Sequence, residues 1–425
     1  MPAIATSKFR VHNAEQFLEA FSEAAPTNMY FYIGGVSPFV DDNNPPTPTN
    51  DTDSIEFVPW RDSIAAKRVK TDDVIQVIDR YNWTSGVVYD YYDDKDTNLL
   101  DDDFYVMTED YNVYKCLWNA GGVGSTVKPD LTTTAPFTTG DGYLWKYMYT
   151  ITTAEALKFL TNDFMPVRTD TTVGAAAIDG GLHVIKVTNG GSGYTTATVA
   201  VDGDGTGVTA SATLNAGAVE SITISPGDEG SGYTFANVTI SGDGTNATAQ
   251  AVISPRGGHG SNAPEELGGK FVMMNIRLDG NEGGAVSTEN DFRKVGLIRD
   301  PIDDDTSIVA TGDVYRQTYR YTLGTLGGTG TFAQDETVTV GDSSAEVIEW
   351  DSVNNYLYTS IPLPDVADFT TSATLTSSGG GTGQITNIDA PGLRAYTGDV
   401  LYIENRSPIS RATDQIEDVK LIIEF

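Results

Sequence analysis

Three histidines, one cysteine and an abundance of carboxylates are the residues from which this chain could build a reactive site. His12, His183 and His259 stand far apart in the sequence. No His-Glu-x-x-His or Cys-x-x-Cys spacing for zinc can be assembled from them. Cys116 lies in the strand-like run "VYKCLW" and reads as a buried, inert thiol rather than a nucleophile. There is no P-loop and no Gly-x-Ser-x-Gly elbow. The "GDGTG" at Gly203 follows a strand but opens no helix, so a pyrophosphate would lack the helix N-terminus it needs.

Carboxylates in series suggest calcium. In "DYYDDKDTNLLDDD" (Asp90 to Asp103), Asp94, Asp96 and Asn98 have the first three ligand spacings of a calcium loop. Leu99 then replaces the required glycine, and Tyr105 the bidentate glutamate. "DGDGTG" at Asp202 fails the same test at Thr213. A solvated acidic turn is the expectation. With 59 acidic residues, any pair resembling a glycosidase's carboxylates carries little weight. No catalytic residue, metal or cofactor is expected.

The aromatic row in "GDGYLWKYMYT" is the other candidate. Tyr143, Trp145, Tyr147 and Tyr149 occupy every second position, so in an extended chain all four rings share one face. Lys146, the only cation of the row, points to the opposite face. A platform for sugars or bases would be accompanied by cations or mixed polar groups. Core or subunit contact is therefore expected.

Composition narrows the partners. The formal charge of -33 argues against nucleic acid and against an anionic membrane, both of which need clustered Lys and Arg. A single cysteine excludes an internal disulfide, which suits a cytoplasm. "MPAIATSKFR" has no apolar run of the signal-peptide kind, and no later segment approaches a membrane-spanning length.

The elements expected to position these residues are mostly strands. "NAEQFLEAFSEA" (Asn13 to Ala24) reads as a helix capped by Asn13, with Phe17, Leu18 and Phe21 as its apolar stripe. "NMYFYIGG" reads as a buried strand, and a second helix is expected around Trp60 to Val69, with Ile64 on its apolar face. "FYVMT", "YNVYKCLW" and "YLWKYMYTI" are strands between Asp- or Gly-rich turns. A repeat follows: "VIKVTNGGSGYTTATVAVDGDGTGVTASATL" matches "SITISPGDEGSGYTFANVTISGDGTNATAQAVI", with Tyr194, Gly203 and Thr209 each 39 residues before Tyr233, Gly242 and Thr248. Each copy predicts strand, Gly-rich turn, strand, "GDGT" turn, strand, and two copies suit one compact β-module rather than a solenoid. "AEVIEWDSVNNYLYTSI" predicts a hairpin, and the final residues predict a terminal strand.

The chain thus alternates between charged and Gly/Thr-rich stretches. The fold class expected is α+β, predominantly β, with discontinuous host domains of sheets and a few helices. Two all-β modules are inserted. The divisions are 1–172, the repeat module 173–258, 259–310, a second module 311–391, and C-terminal strands 392–425.

Four segments, in this order, carry a resemblance: "AIATSKFR", "GDGYLWKYMYTI", "NDFRKVGLIRDP" and "GDVLYIENRSPISRATDQIEDVKLIIEF". They resemble the baseplate wedge subunit of T-even-type contractile-tailed phages, of the gene-product-eight type. The C-terminal Y-x-E-N-R-x-P (Tyr402 to Pro408) is the most specific part, and the two Gly/Thr-rich regions depart from the family pattern. The resemblance implies a non-catalytic structural protein of the virion tail baseplate. Such a protein is assembled in the host cytoplasm, is a homodimer, and contacts other wedge proteins. For Tyr402, Glu404, Asn405 and Arg406, set between a strand and a proline turn, two roles are open. Arg406 pins the terminal strand through an acidic partner, or the group touches a neighbouring subunit. The competing function is a receptor- or glycan-binding tail protein acting through the inserted modules, with Tyr194 and Tyr233 stacking on sugars.

Overall fold

The computed structural model describes residues 3–25, 27–288 and 290–425; Met1, Pro2, Pro26 and Glu289 lie outside them. Strands hold 45% of the chain and helices 12%, so the class is α+β with β predominant. The chain divides into two compact units, Met1–Gln16, Ile75–Met273 and Ile422–Phe425 forming one, Phe17–Val74 and Met274–Leu421 the other.

The first unit contains the aromatic strand. Tyr143–Thr150 lies in a four-stranded antiparallel sheet ordered Tyr105–Met107, Asn112–Asn119, Tyr143–Thr150, Phe137–Thr138. Asp141, in the turn that delivers this strand, accepts hydrogen bonds from the backbone N–H of Thr126 (2.7 Å) and Val127 (2.9 Å). The density of aromatic and β-branched residues in these runs suits a pleated sheet buried on both faces.

The repeat folds as two interlocked halves. The first contributes Leu182–Ser192, Ala197–Gly203 and Thr206–Asn215, the second Ala218–Ser231, Ala236–Gly242 and Thr245–Ile253. The first strand of one half pairs with the last strand of the other, and the two middle strands pair with each other. The remaining outer strands are joined as a hairpin. A four-stranded sheet and a two-stranded ribbon result, enclosing Ile185, Tyr194, Val219 and Ile222 among smaller side chains. The exchange extends to side chains. Tyr194 packs on Gly242 and Gly244 of the second half, and Tyr233 on Gly203 and Gly205 of the first. Asp243 accepts from the amides of Thr195 (2.9 Å) and Thr196 (3.0 Å), while Asp204 accepts from those of Thr234 (2.9 Å) and Phe235 (3.2 Å). Val184 and Val252, at the module's base, join Phe104, Leu117, Met148 and Met165 in one buried cluster.

The second unit contains a five-stranded antiparallel sheet ordered Val314–Arg316, Ser63–Val69, Met29–Gly34, Asp291–Arg299, Asp399–Ser410. Every residue of Met29–Gly34 is buried, as its apolar run predicts. A closed six-stranded barrel spans Tyr319–Gly328 to Gly381–Asp389. Tyr321, Leu323, Val338, Val347, Leu357, Phe369, Leu375 and Ile385 fill it. Its Ser343–Asp351 and Tyr356–Thr359 strands form the hairpin expected around the Asn-rich turn.

Two helix expectations are corrected. The first helix runs Ser7–Glu19, so Asn13 lies within it instead of capping it, and Phe21 falls beyond its end. Before Trp60 a π-helical stretch, Asp53–Phe57, runs into the helix Val58–Asp62, which stops there, and Ser63–Val69 is a strand between two others. Ile64 is buried there by sheet pairing, which overrides the helical propensity of "IAAKR".

Candidate functional site: buried lysines beside the aromatic strand

The aromatic row is core. Tyr143, Trp145 and Tyr149 are 0% exposed and Tyr147 7%. Tyr143 and Trp145 stack with centroids 5.3 Å apart, and Tyr89 meets Trp145 edge-on. The Tyr143 hydroxyl donates to the Val123 carbonyl at 2.6 Å. The expectation that all four rings share one face is corrected. Val113 pairs with Tyr149 and Tyr114 with Tyr147, so Met148 has no opposite number. This bulge interrupts the alternation. Tyr143, Trp145 and Tyr147 pack with Tyr114 and Cys116, while Tyr149 enters the cluster of Phe104 and Met165 and donates to the Pro166 carbonyl at 2.9 Å. Cys116 is buried, and burial pushes its thiol pKa well up, in keeping with an inert side chain.

The unexpected feature is charge within this core. Lys115 and Lys146 are cross-strand partners, 0% and 2% exposed. Like charges placed opposite one another disfavour each other, and each lysine needs a separate answer. Lys115 Nζ donates to Glu266 Oε2 at 2.9 Å and stands 4.1 Å from the centre of the Tyr92 ring. Glu266 comes from the short helix Ala263–Glu266, where the Asn262 side chain accepts from the Glu265 amide. Its other oxygen, Oε1, accepts from the backbone N–H of Gly260 (2.7 Å) and Asn262 (3.3 Å). Lys146 Nζ donates to the Thr134 carbonyl.

Burial sets the electrostatics. It pushes the Lys115 ammonium pKa down against the pull of Glu266, and that of Lys146 down to about 8. His183 and His259, distant in sequence, meet with ring centroids 5.4 Å apart, and His259 meets Tyr92 edge-on at 4.8 Å. Burial, and then the neighbouring lysines, push His259 well below its ordinary range; burial takes His183 down to about 4. Both rings are therefore neutral near pH 7. The arrangement brings together a carboxylate, two buried amines of weakened basicity and two neutral imidazoles. A cleft of about 510 Å³ runs past it, with Trp118, Leu144, His183, Ile185, Ile222 and Ile224 in its lining.

Among the described residues no three His, Cys, Asp or Glu side chains are grouped to hold a metal ion, and no helix is long and apolar enough to cross a membrane. Tyr194 and Tyr233 are 5% and 4% exposed, so the ring faces proposed for sugar stacking are covered.

Tyr402, Glu404, Asn405 and Arg406 lie within the edge strand Asp399–Ser410, not between a strand and a turn, because pairing with Asp291–Arg299 resumes past Pro408. Asn405 pairs with Lys294 and Ile409 with Phe292, which leaves Arg406, Ser407 and Pro408 looped out opposite Arg293. An edge strand tolerates such a proline. Glu404 accepts from the Tyr402 hydroxyl at 2.9 Å and faces Arg406 at 3.5 Å, with both charged side chains about one-third exposed. Asn405 Nδ2 donates to the Pro46 carbonyl. The ion pair of Arg406 is thus local to its own strand, and an exposed pair of this kind contributes little.

Sequence reasoning missed Lys115 and Glu266. A signal existed for the lysines, since each interrupts an aromatic strand, "VYKCLW" and "YLWKYMY". None existed for Glu266, which lies 151 residues from Lys115. No protein-family model and no curated protein matches this chain.

Proposed function

We propose that this chain is a structural component of a contractile phage tail, a baseplate wedge subunit that dimerises and bridges neighbouring wedge proteins during assembly and contraction. The observation that carries the reading concerns two of the four resembling segments. "NDFRKVGLIRDP" and "GDVLYIENRSP" are separated in sequence by the barrel, yet form adjacent paired strands of one sheet. These two segments therefore lie side by side in one sheet, while the barrel, which departs from the family pattern, is carried as an excursion between them. A third, "GDGYLWKYMYTI", is interior sheet. Sheets with aromatic interiors suit a part that must keep its shape while its neighbours rearrange.

The reading assigns the chain no catalysis and no nucleic-acid or membrane partner. Its test is sedimentation of the purified chain together with imaging of the virion tail. A dimer in solution, and density for this chain in the baseplate, are the expected results. A strict monomer that never co-purifies with tail proteins, or a location in the capsid, overturns it. The adhesion alternative loses its stacking residues with the burial of Tyr194 and Tyr233.

A further inference from the structure

We infer that Lys115 and Glu266 are poised to join in an intramolecular amide bond, Nζ to Cδ, formed by the folded chain itself with loss of one water. The inference is independent of the role in a phage tail. An amine and a carboxyl are held in hydrogen-bond contact at 2.9 Å, both side chains 3% exposed or less. Such fixed proximity replaces a bimolecular encounter with an effectively unimolecular one. Tyr92 and Phe104 flank the amine and keep water from the site, which disfavours hydrolysis of the product.

The two oxygens of Glu266 are differently equipped. Oε1 already accepts two backbone N–H groups, from Gly260 and Asn262, the arrangement that stabilises the oxyanion of a tetrahedral intermediate. Oε2 faces the amine and is the oxygen that leaves. In the step, an ammonium proton passes from Nζ to Oε2, giving a neutral amine and a neutral carboxylic acid. Nζ attacks Cδ, the N–C bond forms, and the carbonyl pair moves onto Oε1. A second Nζ proton passes to the Oε2 hydroxyl, the C–O bond breaks, and water departs as the Oε1 carbonyl reforms. Atoms and charge balance without an oxidant or a co-reactant. Burial, which lowers the basicity of Lys115, favours the neutral amine that the attack requires. The product also removes an ion pair whose desolvation is costly.

The bond would tie the strand Asn112–Asn119 to the helix after the repeat module. It would close a loop of 151 residues that contains the whole module. The module would then sit inside a covalently closed ring.

Intact mass measurement of the full chain, unfolded after purification, tests this. A mass one water below that of the sequence is expected, with a branched tryptic peptide joining the Lys115 and Glu266 segments and faster migration in denaturing gels. Asp-Gly succinimides also lose water, but they reopen in mild base whereas the amide persists. Lys115→Arg keeps the charge and cannot form the bond, so it should show the full mass. A full mass for the wild-type chain after prolonged incubation overturns the inference whether or not the variant folds. A water deficit that survives Lys115→Arg, or maps elsewhere, overturns it as well.

Discussion

The repeat module and the barrel look alike in sequence, both rich in Gly and Thr, yet they are held together in different ways. The barrel closes on itself around ten buried side chains, three of them aromatic, Tyr321, Phe332 and Phe369. The module's interior is split between two smaller clusters, one of Ile185, Tyr194, Val219 and Ile222 and one of Leu182, Tyr233 and Ala251, and most of its other apolar side chains are only partly covered. Its strands carry Val, Ala and Thr whose inward faces are small. Specificity comes instead from reciprocal fittings, a tyrosine over the glycines of the opposite half and an aspartate on its amides. A closed barrel can rely on apolar area; a thin sandwich needs shape and hydrogen bonds to fix its register.

The largest effect should therefore come from the barrel. Phe369 is 2% exposed and packs on Tyr321 at a centroid distance of 5.4 Å. Phe369→Ala should cost about 3–5 kcal/mol, read as lost hydrogen-exchange protection in peptides from 319–389. Truncating the partly covered Val199 of the module should cost distinctly less. Equal losses would break the contrast.

Next in size are the glycines beneath the two tyrosines. A Cβ at Gly244 would overlap the Tyr194 ring, and one at Gly205 the Tyr233 ring. Overpacking of this kind costs about 1–3 kcal/mol. Gly244→Ala and Gly205→Ala should destabilise the module by matching amounts in denaturant unfolding. One variant tolerated and the other not would show that the halves are not equivalent.

The repeat and its strands were legible because Tyr, Gly and Thr recur at a fixed spacing and alternation gives strand faces. The exchange between halves was not, because it is a choice of partner, and the same strands could pair within each half. The aromatic row was legible as interior, but the bulge at Met148 that diverts Tyr149 leaves no local mark. Ser63–Val69 was misread because its alanines favour a helix until neighbouring strands on both sides claim their backbone groups. Tyr402 to Arg406 were singled out through a resemblance alone, which says nothing of the looped-out residues opposite Arg293. The lysine cluster was half visible. A lysine inside an aromatic run marks a buried amine, but its carboxylate partner enters from a short helix 151 residues away.

The third test concerns the sheet on which the module rests, where the interior holds charge that the barrel's interior lacks. Lys146 titrates near 8 in the folded chain and near 10.4 when unfolded. Below about pH 8 it is charged in both states and its burial opposes folding. Between there and about 10.4 the unfolded chain binds more protons, so stability rises with pH. Lys146→Met should remove that rise and raise stability at pH 7 by about 1 kcal/mol, since replacing a buried charge by an apolar group of similar size is neutral to favourable. A stability loss at pH 7 would show that its bond to the Thr134 carbonyl outweighs the burial of the charge, and a slope left intact would assign that slope to another group.

The smallest effect separates the module's hydrogen-bonded fittings from its packing. Asp204 is held down to about 2 by the Thr234 hydroxyl and the amides of Thr234 and Phe235, and Asp243 lower still by Thr195 and Thr196. An unfolded aspartate titrates near 3.9. A carboxylate depressed by folding contributes stability that is fully present above the unfolded value and is lost as pH falls through the folded one. The window is therefore from about pH 4 down to about pH 2, and the loss is confined to the module. Exchange of the Thr195, Thr196, Thr234 and Phe235 amides should accelerate across that window beyond the intrinsic change, while amides in the barrel strands keep their protection. Asp204→Asn and Asp243→Asn should flatten the response at the opposite half only, because each aspartate caps the strand it does not belong to. A response in the aspartate's own half would mean that the halves pair within themselves.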